Sequence, residues 1–220
     1  MSLPDSVRSV LPQDAADTWE TIGPALPDQL YLAGGTALAA HLGHRVSRDL
    51  DFFYHEDAVD LEEVRKALEG LGHFAVTDGS SGTLNGVFSA TRLQFLHADE
   101  GEPQRRIEAP TRVGDINVAA ISDILAMKLA AVGGRGELRD YFDLMAIDQG
   151  PYPIEAGLAL FLERYGGRDD PSALDPIVRA LGYLDDVDDD EQLPERKAVI
   201  ATYWRRRQPQ VLASLAQFRV

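Results

Sequence analysis

The feature that most narrows the folds open to this chain is a glycine pair and a carboxylate pair at fixed spacing. Gly34-Gly35-Thr36 is followed by Asp49-Leu50-Asp51, with Asp49 fourteen residues after Gly35. Gln29 to Ala33 is a short apolar run that reads as a buried strand, and the glycines end it. Thr36 can then cap a helix running to Leu42, which Gly43 stops. Asp49 to Tyr54 reads as the next strand. Residues two apart on a strand leave the same face, so Asp49 and Asp51 project together, with Ser47 aligned if the strand extends that far back.

Two carboxylates whose Cα atoms stand about 7 Å apart on a strand can converge on one cation; without it their mutual repulsion would raise the pKa of one. The pair therefore makes most sense as a hard-metal site for Mg2+ or Mn2+, an ion that keeps most of its octahedron for water and phosphate oxygens. At the glycines, a phosphate chain can approach the backbone, and the N–H groups at the start of the Thr36 helix favour negative charge. Each half alone is weak, because Asp-x-Asp is more often a solvated strand edge and a glycine pair is as often a plain turn. In sequence, with one short helix between them, they form the two halves of a metal–triphosphate site.

The remaining pattern predicts an α/β (α+β) chain with a mixed sheet flanked by helices. A leading helix is expected over 6–24 and another over Leu61–Leu71, with Leu61, Val64, Leu68 and Leu71 on one face. Phe74–Val76, Gly86–Ser89 and Leu93–His97 read as a meander on the same sheet, and Ile116–Val118 as one more strand. Ser122 caps a helix through Val132, Gly133-Gly134 interrupts it, and a second helix covers Glu137–Ile147. Residues 154–164 and 193–219 look helical, with the acidic run Asp185–Glu191 as a linker. The expected organisation is an α/β core with its leading helix over 1–120, and a helical region over 121–220 that completes the active-site cleft.

Composition bounds the partners. The formal charge is −15, of which −12 lies in residues 1–150 and −3 in residues 151–220. Such a surface argues against a broad grip on nucleic acid and, weakly, for divalent cations at any phosphate site. With no cysteine, thiolate chemistry and Cys-ligated metals are excluded. No apolar run approaches the roughly 18 residues that span a bilayer, and Met1 to Val10 lacks a signal core, so a cytoplasmic protein without a membrane partner is expected. The five histidines show no zinc spacing, and neither a Walker loop nor Gly-x-Ser-x-Gly occurs.

Lys128 falls on or beside the apolar stripe of its helix, where a lysine either snorkels or meets an anion. Arg135 is near enough along the chain to reach the same cleft. Arg139 and Asp143 are spaced for a helix ion pair. Trp204-Arg205-Arg206-Arg207, the one dense basic cluster, reads as a solvated helix face more readily than as an RNA contact.

Three stretches together carry a family resemblance: Leu32 to Leu38, His44 to Phe53, and Ala126 to Ala131 with Arg135 and Arg139 to Leu144. In order and spacing, over about residues 30 to 145, they resemble the AbiEii/AbiGii toxin family of nucleotidyltransferases. The resemblance implies a polymerase-beta-like nucleotidyltransferase fold, metal-assisted transfer of a nucleoside monophosphate from a nucleoside triphosphate (NTP), and a cognate antitoxin. It also implies an RNA acceptor such as a tRNA end, or a protein acceptor. By match to the family's motifs, Gly35 belongs to the phosphate turn, with Gly34 and Thr36 around it. Asp49 and Asp51 are the metal pair, Ser47 orients the site, Lys128 binds nucleotide with Arg135 beside it, and Asp140 is the later acidic motif. The sequence departs from the wider fold where a third carboxylate is usual, since the centre of Arg92–His97 holds Gln94, an amide that cannot take a proton. Asp99, Asp115, Asp140 or His97 stand as substitutes. Two other readings stay open: a nucleotide-binding module without transfer activity, and nucleotidylation of a small cationic molecule, as by antibiotic-modifying enzymes.

Overall fold

The computed structural model describes residues 2–55, 59–80, 82–98, 104–166 and 171–218. The chain divides into two compact units, residues 1–104 with 108–121, and residues 105–107 with 122–220. No helix among the described residues is long and apolar enough to cross a membrane.

The first unit runs α1 (Asp5–Arg8), α2 (Gln13–Ile22), β1 (Tyr31–Ala33), α3 (Gly34–Leu42), β2 (Leu50–Tyr54), α4 (Leu61–Leu71), β3 (Phe74–Ser80), β4 (Thr83–Phe88), β5 (Thr91–His97), β6 (Thr111–Val113) and β7 (Ile116–Val118). The seven strands form one mixed sheet in the order β3-β4-β5-β2-β1-β7-β6. β1 is antiparallel to β2 and parallel to β7, and β2 is parallel to β5. Alternation sets the faces. Leu50, Phe52, Leu93 and Phe95 are fully buried, with the Phe52 and Phe95 rings stacked at 5.2 Å between centroids. The residues between them, Asp51 and Gln94, lie on the other, partly open face.

The expected leading helix is two helices. Pro12 has no N–H to continue a helix and disfavours helical geometry before it, so the chain breaks after Arg8 and restarts at Gln13. Trp19 and Ile22 of α2 enter the core, and the Thr18 and Thr91 hydroxyls meet at 3.0 Å. In α4 the Asp60 carboxylate accepts from the backbone N–H groups of Glu62 and Glu63, and Val64 and Leu68 are buried. Leu71, assigned from sequence to the same face, is exposed where the helix ends.

The second unit is helical. It comprises α5 (Ile121–Gly134), α6 (Leu138–Asp148), α7 (Ile154–Tyr165), α8 (Leu174–Leu181) and α9 (Lys197–Ser214). Gly133-Gly134 does not interrupt α5. Gly133 is instead where α8 comes close, because a Cβ there would stand 2.7 Å from Ile177 Cγ1. Gly157 of α7 plays the same part against Leu125 of α5. Trp204 of α9 is fully buried and its Nε1–H donates to the Tyr141 carbonyl at 3.0 Å. Arg205 pairs with Asp185, and Arg207 pairs with Asp148 and Glu155, so the basic cluster is largely consumed within the unit. Arg164 and Asp123 form a fully buried pair at 2.5 Å, and Asp123 also accepts the Ile107 backbone N–H. The sequence reading did not include α8 or β6.

Candidate functional site

The turn after β1 is built on Gly34, whose φ of +69° is the left-handed region that favours glycine. α3 starts at this residue, three positions earlier than a cap at Thr36 would place it. Thr36 does not cap it: Ala33 occupies the cap position and no side chain bonds there. The Thr36 hydroxyl, 1% exposed, lies 2.8 Å from Ser47 Oγ and 2.5 Å from the Asp49 carbonyl oxygen. One hydroxyl carries one proton, so Thr36 donates to the carbonyl and accepts from Ser47. The Ser47 backbone N–H in turn donates to the Val10 carbonyl at 3.0 Å. Thr36 thus ties α3 to the segment entering β2.

That segment carries the acids. Asp51 sits on β2 opposite Ala33 of β1, and Asp49 lies just before the strand, which begins at Leu50. Both are partly exposed. A Cβ on Gly34 would stand 2.8 Å from Asp51 Oδ2, so the carboxylate rests against the turn itself. Gly35 is pressed from another side, since a Cβ there would meet Arg45 Nη2 at 2.3 Å and Ser47 Oγ at 3.3 Å. The structure brings Gly34, Gly35, Thr36, Ser47, Asp49 and Asp51 together at the start of α3. It adds Arg45, which sequence reasoning quoted only as part of a motif. Its place depends on the path of the loop between α3 and β2, where Arg45 sits at a bend.

The third-acid position is an amide. Gln94 lies directly opposite Asp51 in the parallel β2–β5 register, and its Nε2 donates to Asn85 Oδ1 of β4 at 3.2 Å. Two of the proposed substitutes, His97 and Asp115, lie away from this position. His97 lies opposite Tyr54 at the far end of β5, against the Tyr54 ring, three residues and about 10 Å along the strand from Gln94. Asp115 precedes β7 beside Gly23; β7 is parallel to β1, so this is the sheet edge opposite the glycine turn. Asp99 lies outside the described residues. Among the described residues no group of three or more His, Asp or Glu side chains is set to hold a metal ion. Two carboxylates beside an amide are all hard oxygen donors. They suit a magnesium-type ion that keeps water and phosphate oxygens in its shell.

In the second unit, Lys128 does not snorkel. Its side chain is 10% exposed and its Nζ lies 2.7 Å from both Asp140 Oδ1 and Asp143 Oδ2, the latter fully buried. Burial, the largest single influence, pushes the ammonium pKa down, but the charges of Asp143 and Asp140 outweigh it and hold the pKa above the ordinary lysine value. Asp140 also accepts the Glu137 N–H at 3.0 Å in a capping box that starts α6. The expected Arg139–Asp143 helix pair is not formed, because Lys128 takes Asp143 and Arg139 turns to Glu137. Arg135, 81% exposed, pairs with Glu137 as well.

Comparison with known proteins agrees with this architecture. The curated relative matched is the uncharacterized protein aq_aa25 of Aquifex aeolicus (strain VF5), 32% identical over 120 residues, which is 53% of this chain and 56% of that protein. The match thus spans about half the length of each. Among solved structures, MenT4, nucleotidyltransferase toxin Rv2826c from Mycobacterium tuberculosis H37Rv, superposes with a TM-score of 0.59 at 18% identity, covering 98% of this chain and 97% of that one. A putative nucleotidyltransferase from H. pylori superposes with a TM-score of 0.55 at 17% identity, covering 95% and 99%. At such identities the likeness is one of fold, and the fold is that of the nucleotidyltransferases. The profile of the family described as nucleotidyl transferase AbiEii toxin, type IV toxin–antitoxin system, matches residues 22–218. The chain belongs to the AbiEii nucleotidyltransferase toxin family.

Proposed function

We propose that this chain transfers a nucleoside monophosphate from an NTP to an acceptor hydroxyl, with Asp49 and Asp51 holding a divalent cation, magnesium or manganese. The observation that carries the reading is the Asp51 carboxylate resting against Gly34 at the start of α3. It joins a cation-type donor to a phosphate-type turn in one place. A bound magnesium ion supplies neutralisation and polarisation of the phosphate oxygens. The chain's own part is to hold the triphosphate on the Gly34-Gly35 turn, where the first N–H groups of α3 lack intrahelical partners. Thr36 and Ser47 fix the approach of Asp49 to that turn. In the transfer, a bond forms between the acceptor oxygen and the α-phosphorus. The α–β bridging bond breaks and its electron pair leaves with pyrophosphate. Gln94 cannot take the acceptor proton, so the proton passes to water or phosphate oxygen.

Lys128 is the nucleotide-binding candidate of the helical unit, on the family resemblance. Two of its three protons serve Asp140 and Asp143, which leaves one for a phosphate oxygen. Asp140, already engaged twice, reads as the group that orients this lysine. Membership of a toxin family supports a role as the toxin of a toxin–antitoxin pair, acting in the cytoplasm on RNA such as a tRNA end, or on protein.

The test is incubation with each labelled NTP, Mg2+ and total RNA or protein extract. Wild type is expected to label an acceptor, while Asp49→Ala and Asp51→Ala do not. Labelling by both variants at the wild-type rate would sink the mechanism. Gln94 favours one second reading, a nucleotide-binding protein without turnover. It predicts a raised melting temperature with NTP and Mg2+ but no labelled product.

A further inference from the structure

We propose that Gln94 is a third oxygen donor to the cation of Asp49 and Asp51, acting through Oε1, and that Asn85 is the positioning residue that presents it. The inference rests on the cation site proposed above. Register sets the row. Asp51 of β2 stands opposite Gln94 of β5, and Gln94 stands opposite Asn85 of β4. Directly paired residues on neighbouring strands share a face, and the strands lie about 4.8 Å apart, so the three side chains form one polar row across the sheet. All three are partly exposed, while Phe52, Phe95 and Leu84 beside them are buried on the opposite face.

A carboxamide has a donor end and an acceptor end, and Asn85 decides which end goes where. Gln94 Nε2 donates to Asn85 Oδ1 at 3.2 Å, and neither side chain makes another hydrogen bond among the described residues. The nitrogen and oxygen of the planar group leave Cδ on opposite branches. Tying Nε2 to β4 therefore turns Oε1 away from β4, and the other neighbour of β5 is β2. A glutamine beside an aspartate ordinarily turns an N–H to the carboxylate, since a charge-assisted bond is stronger than a neutral one. Here the N–H goes to the asparagine instead. An arrangement that forgoes the stronger bond and keeps a carbonyl oxygen on the carboxylate's side suits a hard cation shared by the two. Because Gln94 brings no charge, the donor set carries two negative charges, which one divalent ion cancels.

The experiment uses the full chain with Mn2+ as the probe, followed by electron paramagnetic resonance titration. The variants are Gln94→Ala, Asn85→Ala, the two combined, and Asn85→Asp, with Asp49→Ala and Asp51→Ala for reference. Melting temperatures are recorded alongside. Expected is a loss of roughly tenfold in Mn2+ affinity for Gln94→Ala and no larger a loss for Asn85→Ala, as for groups that orient a metal's ligands. The combined variant loses no more than Gln94→Ala alone, because Asn85 acts only through Gln94. Asn85→Asp can only accept, so it keeps Gln94 oriented and binds Mn2+ at least as tightly as wild type. Wild-type affinity in Gln94→Ala, with affinity lost in Asp49→Ala and Asp51→Ala, overturns the inference and leaves the cation site standing. Wild-type affinity in Asn85→Ala, weakened affinity in Asn85→Asp, or single losses that multiply in the combined variant overturn the positioning role; a lowered melting temperature without lost affinity marks a merely structural amide pair. If wild type binds no Mn2+, or Asp49→Ala and Asp51→Ala bind it equally well, the site reading itself fails and the inference goes with it.

Discussion

Replacing Lys128 by methionine tests the polar cluster of the helical unit most directly. Methionine nearly matches the lysine stem in volume and helix propensity, so the change is chiefly the loss of one charge. That charge faces Asp143, which is fully buried, and Asp140, 14% exposed, each at 2.7 Å. Asp140 keeps the Glu137 N–H and some solvent, so it tolerates the loss. Asp143 is fully buried, and removing one charged partner of a buried pair costs about 3–5 kcal/mol. For a chain of this size the melting temperature then falls by roughly 6–20 °C. The deficit depends on pH in a defined direction. In the variant, burial raises the folded-state pKa of Asp143 above its unfolded value. The penalty is fully present above that folded pKa and disappears as pH falls below the unfolded one, so the gap to wild type narrows from pH 8 toward pH 4. Urea denaturation at several pH values measures it. A companion variant, Lys128→Met with Asp143→Leu, removes both charges and regains most of the stability, because an apolar pair replaces an ion pair at little cost. A deficit under about 1 kcal/mol, or one unchanged between pH 8 and pH 4, would refute the claim that this pairing ties α5 to α6.

Gly34→Ala and Gly43→Ala both place a side chain at positive φ, and each is expected to cost about 1–2 kcal/mol in denaturation. Only the first meets Asp51, at 2.8 Å, whereas nothing lies within 4 Å at Gly43, so only Gly34→Ala should abolish Mg2+-dependent triphosphate binding. Gln94→Glu puts a carboxylate opposite Asp51 and should tighten Mn2+ binding by roughly tenfold, read by electron paramagnetic resonance titration; an unchanged affinity would mean that position 94 does not face the ion. Burial, then the charges of Asp186 and Asp140, push the Tyr141 hydroxyl up to about 12. Since the folded state holds that proton more tightly, its stabilising contribution is complete below pH 10 and is lost as pH rises toward 12; difference absorbance of wild type against Tyr141→Phe resolves the late-ionising tyrosine.

The parts legible in the sequence were those where one local rule decides the outcome. The apolar run into Ala33, the glycine break and the alternation after Asp49 marked the β1–α3–β2 unit, and the apolar spacing of Leu61, Val64 and Leu68 marked α4. Errors arose where a distant partner overrode a local signal. Thr36 has the chemistry of a cap, but Ser47 and the Asp49 carbonyl claim its hydroxyl. Gly133-Gly134 has the look of a helix end, yet Ile177 needs the space beside Gly133 while α5 continues. Arg139 and Asp143 have helix-pair spacing, but Lys128 outcompetes the arginine from another helix. Of the candidate site, the acids and glycines were visible from spacing. The place of Arg45 was not, because it follows from the loop's path between α3 and β2. Gln94 could be named from sequence, but its seat beside Asp51 needed the register.

The sheet order has a consequence for synthesis. β1, which leads into the glycine turn, is paired on one side by β2, close along the chain, and on the other by β7, where Leu32 meets Val118. Ala119 completes the seam: its N–H donates to the Leu32 carbonyl at 2.8 Å, and its own carbonyl lies 2.8 Å from His41 Nε2 on α3. A nascent chain that has emerged only through β5 holds both acids and both glycines, yet leaves β1 as an open edge. The turn gains its second wall when the segment around Val118 leaves the ribosome. Shorter translation products therefore carry the whole Asp-x-Asp motif on an unfinished scaffold.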